Sequence, residues 1–78
     1  MSKFYRANTE LKNYLTSGKG LTFHNREETN VNYFTDHNTG KQVRVNTSNN
    51  LISLLSPKGV VVESSSSFTN NQIDKFLD

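Results

Sequence analysis

The apolar positions of this chain fall into two rhythms, one of three to four residues and one of two. Phe4, Ala7, Leu11 and Leu15 lie within a narrow arc when wound at 100° per residue, with Tyr14 at its edge. That spacing predicts an N-terminal helix begun by a Ser2 cap and ended at Gly18. A short strand over 4–7, followed by a helix capped at Thr9, accounts for the same residues. On the helical reading Tyr5, Lys12 and Thr16 form an exposed edge. Beyond Gly18-Lys19-Gly20 the period drops to two. Leu21 to Asn25, Val31 to Thr35 and Lys41 to Thr47 each alternate. The cluster Asp36-His37-Asn38-Thr39-Gly40 between the last two has the residues of a hairpin turn.

Leu51, Leu54 and Leu55 have helical spacing after a Ser48 cap, yet they fit equally a strand that turns at Pro57-Lys58-Gly59 into Val60 to Glu63. Val60 to Val62 is β-branched throughout and reads as a buried strand. Ser64 to Ser67 reads as a flexible connector. A C-terminal helix is signalled by Thr69 with Gln72 three residues on, which makes a capping box, and by Phe68 and Ile73 placed for a hydrophobic staple. Ile73, Phe76 and Leu77 form its apolar stripe. The expected fold is therefore one small α+β domain over 1–78. It has an N-terminal helix, an antiparallel meander of three to five strands and a C-terminal helix, with both helices on one face of the sheet.

Helix, three antiparallel strands and helix is an element order that resembles double-stranded-RNA-binding domains and small toxins built on the same fold. The resemblance lies in element order and not in any sequence motif. It implies RNA as a partner.

Composition sharpens this picture. Seventy-eight residues make a thin core, although 20 of them are Leu, Ile, Val or Phe, enough to expect a folded chain. A small core also suits completion by a homodimer. There is no cysteine, which excludes disulfides and zinc–thiolate sites. No apolar run approaches the length of a membrane span, and no secretory signal is apparent, so a cytoplasmic protein is expected. Eleven asparagines against one alanine suit an AT-rich genome and a compact accessory gene of a phage or mobile element, acting in the host cytoplasm.

Charge adds a direction. The net charge is +2, and residues 1–26 carry Lys3, Arg6, Lys12, Lys19 and Arg26 against Glu10 alone. If Leu21, Phe23, Val31, Tyr33, Val43 and Val45 face the core, then Thr22, His24, Arg26, Asn32, Phe34, Gln42, Arg44 and Asn46 face outward. That outward set combines an aromatic, two arginines and several amides, the parts of a single-strand-binding surface. Phe34 would stack a base. Arg26 and Arg44 would meet phosphates. Asn32, Gln42 and Asn46 would bond base edges, while Lys12 and Lys19 would add phosphate contacts from the first segment. In the alternative, Phe34 packs beneath the 48–56 segment and the arginines are merely solvated.

The leading expectation is a non-enzymatic module that binds RNA or single-stranded nucleic acid. A protein-binding inhibitor of a host enzyme or toxin–antitoxin system follows it. A ribonuclease centred on His24 comes last, because no carboxylate or second histidine is placed beside it. His24 and His37 lack further ligands at metal spacing, so neither a metal nor a cofactor is expected.

Overall fold

The computed structural model describes residues 3–25 and 30–78. The chain opens with a strand, β1 (Phe4–Arg6), and then a short helix, α1 (Thr9–Asn13), that widens into a π-helical turn over Tyr14–Gly18. Five strands follow: β2 (Thr22–Asn25), β3 (Val31–Thr35), β4 (Gln42–Asn46), β5 (Leu51–Leu55) and β6 (Val61–Ser65). A further strand β7 (Ser67–Thr69) leads into α2 (Asn70–Leu77). Strands β2 to β6 form one antiparallel sheet in sequence order, and β1 pairs with β7 in a separate two-stranded ribbon. The fold is the expected α+β class, with a strand ahead of the first helix and five strands in the meander.

The first element is the strand of the second reading and not the helix that the apolar spacing favoured, with the helix cap at Asn8, one residue before Thr9. Tyr5 is buried and lies opposite Phe68, while Phe4 and Arg6 on either side of it are exposed. Pairing with β7 satisfies the backbone here and leaves Ala7, Leu11 and Leu15 to the core. Asn8 caps α1, its side-chain oxygen accepting from the Leu11 amide at 3.3 Å. The Ser2 cap lies outside the described residues. The helical segment ends at Gly18 as its sequence suggests. Its last turn is widened, with the Lys19 amide donating to the Tyr14 carbonyl at 2.9 Å.

The C-terminal helix follows its signals closely. Thr69 and Gln72 make both halves of the capping box, and Phe68 and Ile73 are both fully buried. Residues 51–55 are strand, hairpinned through Pro57-Lys58-Gly59 to β6, with Gly59 at φ 83°. The serine run is no flexible linker. It ends β6 and begins β7, and the Ser65 hydroxyl donates to the Ser67 carbonyl at 2.7 Å.

One face of the five-stranded sheet carries the core. Phe34, Val43, Val45, Ile52 and Leu54 meet Leu11 and Leu15 from the first helical segment and Ile73 and Leu77 from α2. Tyr5 and Phe68 of the ribbon close one side of the same cluster. The two helical segments are tied across 60 residues. The Tyr14 hydroxyl donates to the Asp74 carboxylate, which also receives the Lys19 ammonium at 3.2 Å. Tyr14 in turn stacks on Tyr5, with ring centroids 4.6 Å apart. Burial, seconded by this bond to Asp74, pushes the Tyr14 hydroxyl well above its usual range.

Two inward assignments do not hold. Val31 and Tyr33 do not face the helices; Asn32 and Phe34 do, opposite Val45 and Val43. Val60 to Val62 is not buried. Val60 and Val62 are 63% and 62% exposed beside or on the edge strand β6. A bulge opposite Leu54 and Leu55 breaks the alternation at that point.

Candidate functional site

The helices cover only one side of the sheet, so the other faces solvent. Its organisation follows from register. Directly paired residues share a face in an antiparallel sheet. The pairings His24–Tyr33, Tyr33–Arg44, Arg44–Ser53 and Ser53–Ser64 run without interruption across all five strands. One transverse row therefore carries an imidazole, a phenol, a guanidinium and two hydroxyls. Arg44 donates to the Ser53 hydroxyl at 3.4 Å, and the Ser53 and Ser64 hydroxyls lie 3.0 Å apart. Buried Ser53 thus anchors the arginine from below.

Flanking rows complete the face. On one side are Thr22, Thr35, Gln42, Leu55 and Val61; on the other are Val31, Asn46 and Leu51. His24, Tyr33, Thr35 and Gln42 line a shallow depression of about 270 Å³. His37 leans back from the β3–β4 turn so that its Nε2 meets the Thr22 hydroxyl. Both described histidines are thereby brought to one rim, which the turn composition around His37 did not disclose. None of the described residues in these rows is acidic, and Glu63 falls opposite Leu54 on the helix side. The central row is polar, aromatic and cationic, while Val31 and Leu51 on one flank and Leu55 and Val61 on the other are apolar.

The residues singled out from sequence divide accordingly. Gln42, Arg44 and Asn46 stand on this face as expected. The Asn46 side-chain oxygen also accepts from the Ser48 amide at 2.9 Å. Phe34 does not stand there. It is 0% exposed, tilted against Phe23 at 5.2 Å, and no base can reach it. Asn32 shares its frame and faces the helices. Lys12 is on the helix side, its ammonium 5.2 Å from the centre of the Phe23 ring. Lys19 is there too, in its ion pair with Asp74. Arg26 lies outside the described residues.

The cause of the error is a one-residue frame on β3. Because side chains alternate, a single step exchanges the faces of a whole strand. The sequence Val-Asn-Tyr-Phe-Thr offers an aromatic in either frame. Tyr33 consequently occupies the role given to Phe34, directly opposite Arg44. The missed signal was register. With Val43 and Val45 inside, a six-residue connection from Thr35 to Gln42 puts Phe34 and Asn32 inside with them. Ser53 and Ser64 are hidden in the sequence because residues 51–55 fit helix and strand equally and Ser64 opens a serine run with the composition of a connector.

Searches of protein-family models, of curated proteins and of solved structures find no match to this chain. No helix among the described residues is long and apolar enough to cross a membrane.

Proposed function

We propose that the solvent-facing side of the five-stranded sheet binds single-stranded nucleic acid, RNA in the first instance, without catalysing its cleavage. The observation that carries this reading is the row His24–Tyr33–Arg44 on a face with no described carboxylate. Tyr33 offers a ring for base stacking. Arg44, braced by Ser53, offers a planar cation to phosphate or to a base face. Gln42 and Asn46 supply amides, and Thr22 and Thr35 supply hydroxyls, for base edges and sugar. Sheet faces bearing aromatics are a recurrent platform for unpaired bases.

The test is fluorescence anisotropy with labelled single-stranded RNA, for the parent protein and for Tyr33→Ala and Arg44→Gln. A base stack contributes about 1–3 kcal/mol. Tyr33→Ala is expected to weaken binding accordingly, and Arg44→Gln to flatten the dependence on salt. Binding that ignores both substitutions removes this reading.

A second reading, a protein-binding inhibitor or a homodimer, has its own observation. The edge strand β6 carries exposed Val61 and Val62, preceded by exposed Val60, and a groove of about 370 Å³ runs between it and α2, lined by Leu54, Val62, Glu63, Gln72, Lys75 and Phe76. Exposed strand edges recruit further strands. Sedimentation of the purified protein across a range of concentrations, together with Val62→Lys, decides whether this edge associates.

A further inference from the structure

The exposed side of the β1–β7 ribbon repeats, on different residues, the chemistry of the large sheet. Tyr5 and Phe68 face inward, so Phe4, Arg6, Ser67 and Thr69 share the outward side. Phe4 is 67% exposed, the most exposed large apolar side chain described. Arg6 follows two residues along the same strand, about 7 Å away. It lines a depression of about 270 Å³ with Asn50, Ser66 and Ser67. No described carboxylate pairs with Arg6; the ion pairs of the described residues join Lys3 to Glu10 and Lys19 to Asp74.

An exposed ring is unfavourable in water, and one beside an uncommitted guanidinium is suited to a ligand that has both a flat apolar surface and an oxyanion. A nucleotide unit has both. Asn50, at φ 56° in the β4–β5 turn, lines the depression together with Ser66 and Ser67, residues whose side chains carry an amide and two hydroxyls. Arginine with hydroxyl and amide donors is a phosphate-binding set. The turn that holds Asn50 immediately precedes Leu51, at the end of the large sheet where Asn46 and Val31 also lie. Asn50 thus joins that end of the sheet to the depression that Arg6 lines.

We infer that the outer side of the β1–β7 ribbon is a second nucleotide seat, where Phe4 stacks a base and Arg6, with Asn50, Ser66 and Ser67, holds a neighbouring phosphate. The inference deepens the nucleic-acid reading of the sheet, since it names the path of the same strand. The test uses a 5′-fluorescein 15-nucleotide oligouridylate RNA, with Phe4→Ala and Arg6→Gln compared with Tyr33→Ala. Each of these side chains lies outside the core cluster, and circular dichroism checks that the fold is kept.

Phe4→Ala is expected to weaken binding roughly 5- to 150-fold, the range of one base stack. Arg6→Gln is expected to lower the slope of log affinity against log salt by about 0.7, the value for one phosphate on a single strand. If Phe4→Ala and Arg6→Gln leave binding unchanged while Tyr33→Ala weakens it, the second seat is refuted and the large sheet stands. If the ribbon variants weaken binding while Tyr33→Ala does not, the seat stands and the large sheet does not. Absence of binding by the parent protein refutes both.

Discussion

Replacing Phe34 by alanine separates a core role from a binding role at adjacent residues. Phe34 is 0% exposed and packs among Val43, Leu54 and the two helical segments. Truncating a phenylalanine in such a setting costs about 3–5 kcal/mol, from lost transfer energy and the cavity left behind. Total stability scales at roughly 0.05–0.15 kcal/mol per residue, which gives about 4–12 kcal/mol for a 78-residue chain. The substitution therefore removes between a quarter and all of the margin. Tyr33→Ala, at a half-buried position on the solvent side, should cost about 1 kcal/mol or less. Urea unfolding followed by far-ultraviolet circular dichroism resolves the two. With a slope of about 1–2 kcal/mol per molar, Phe34→Ala lowers the midpoint by roughly 1.5–5 M or leaves the chain unfolded without denaturant. A stable Phe34→Ala beside an unfolded Tyr33→Ala would show that β3 sits in the opposite frame, and the assignment of both faces would fall with it.

Other consequences concern the supports of the core. Thr69→Ala removes the capping hydroxyl that accepts from the Gln72 amide at 3.1 Å, and should cost about 1 kcal/mol in the same urea assay. The raised Tyr14 hydroxyl has a defined pH signature. Its neutral form is favoured in the folded chain, so its contribution is complete below the unfolded-state value near 10 and is lost as pH rises beyond it. Melting temperature should drop above about pH 10 in the parent and drop less steeply in Tyr14→Phe; parallel curves would show that Tyr14 is not held by burial and Asp74.

Sequence reasoning succeeded where local chemistry decides structure. Thr69, Gln72, Phe68 and Ile73 specify their helix start within six residues, and the Asp36–Gly40 turn fixes its hairpin by residues that tolerate the required backbone, with Gly40 at φ 79°. It failed where a distant partner decides. Residues 4–6 fit a helix or a strand on paper, and it is β7, more than 60 positions away, that decides for the strand by drawing them into a ribbon. The β3 frame depends on its register with β4, which a single strand does not encode. The valines of 60–62 are exposed because β6 is the last strand, a fact of sheet order and not of composition. The site shows the same division. Gln42, Arg44 and Asn46 were legible because Val43 and Val45 set their frame, whereas Tyr33 was hidden by the neighbouring Phe34. The arginine at position 6 was counted as charge, but its place beside Ser67 comes only from pairing across the chain.

The most direct test of the binding face is a two-dimensional ¹H–¹⁵N spectrum of the labelled protein, titrated with a 15-nucleotide single-stranded RNA at low salt. The predicted result is a set of shifts centred on His24, Tyr33, Arg44 and Ser64, with the amides of Leu11, Leu15 and Ile73 behind the sheet unmoved. An unchanged spectrum at millimolar RNA, or shifts confined to β6 and α2, would contradict it and transfer the function to the valine-bearing edge.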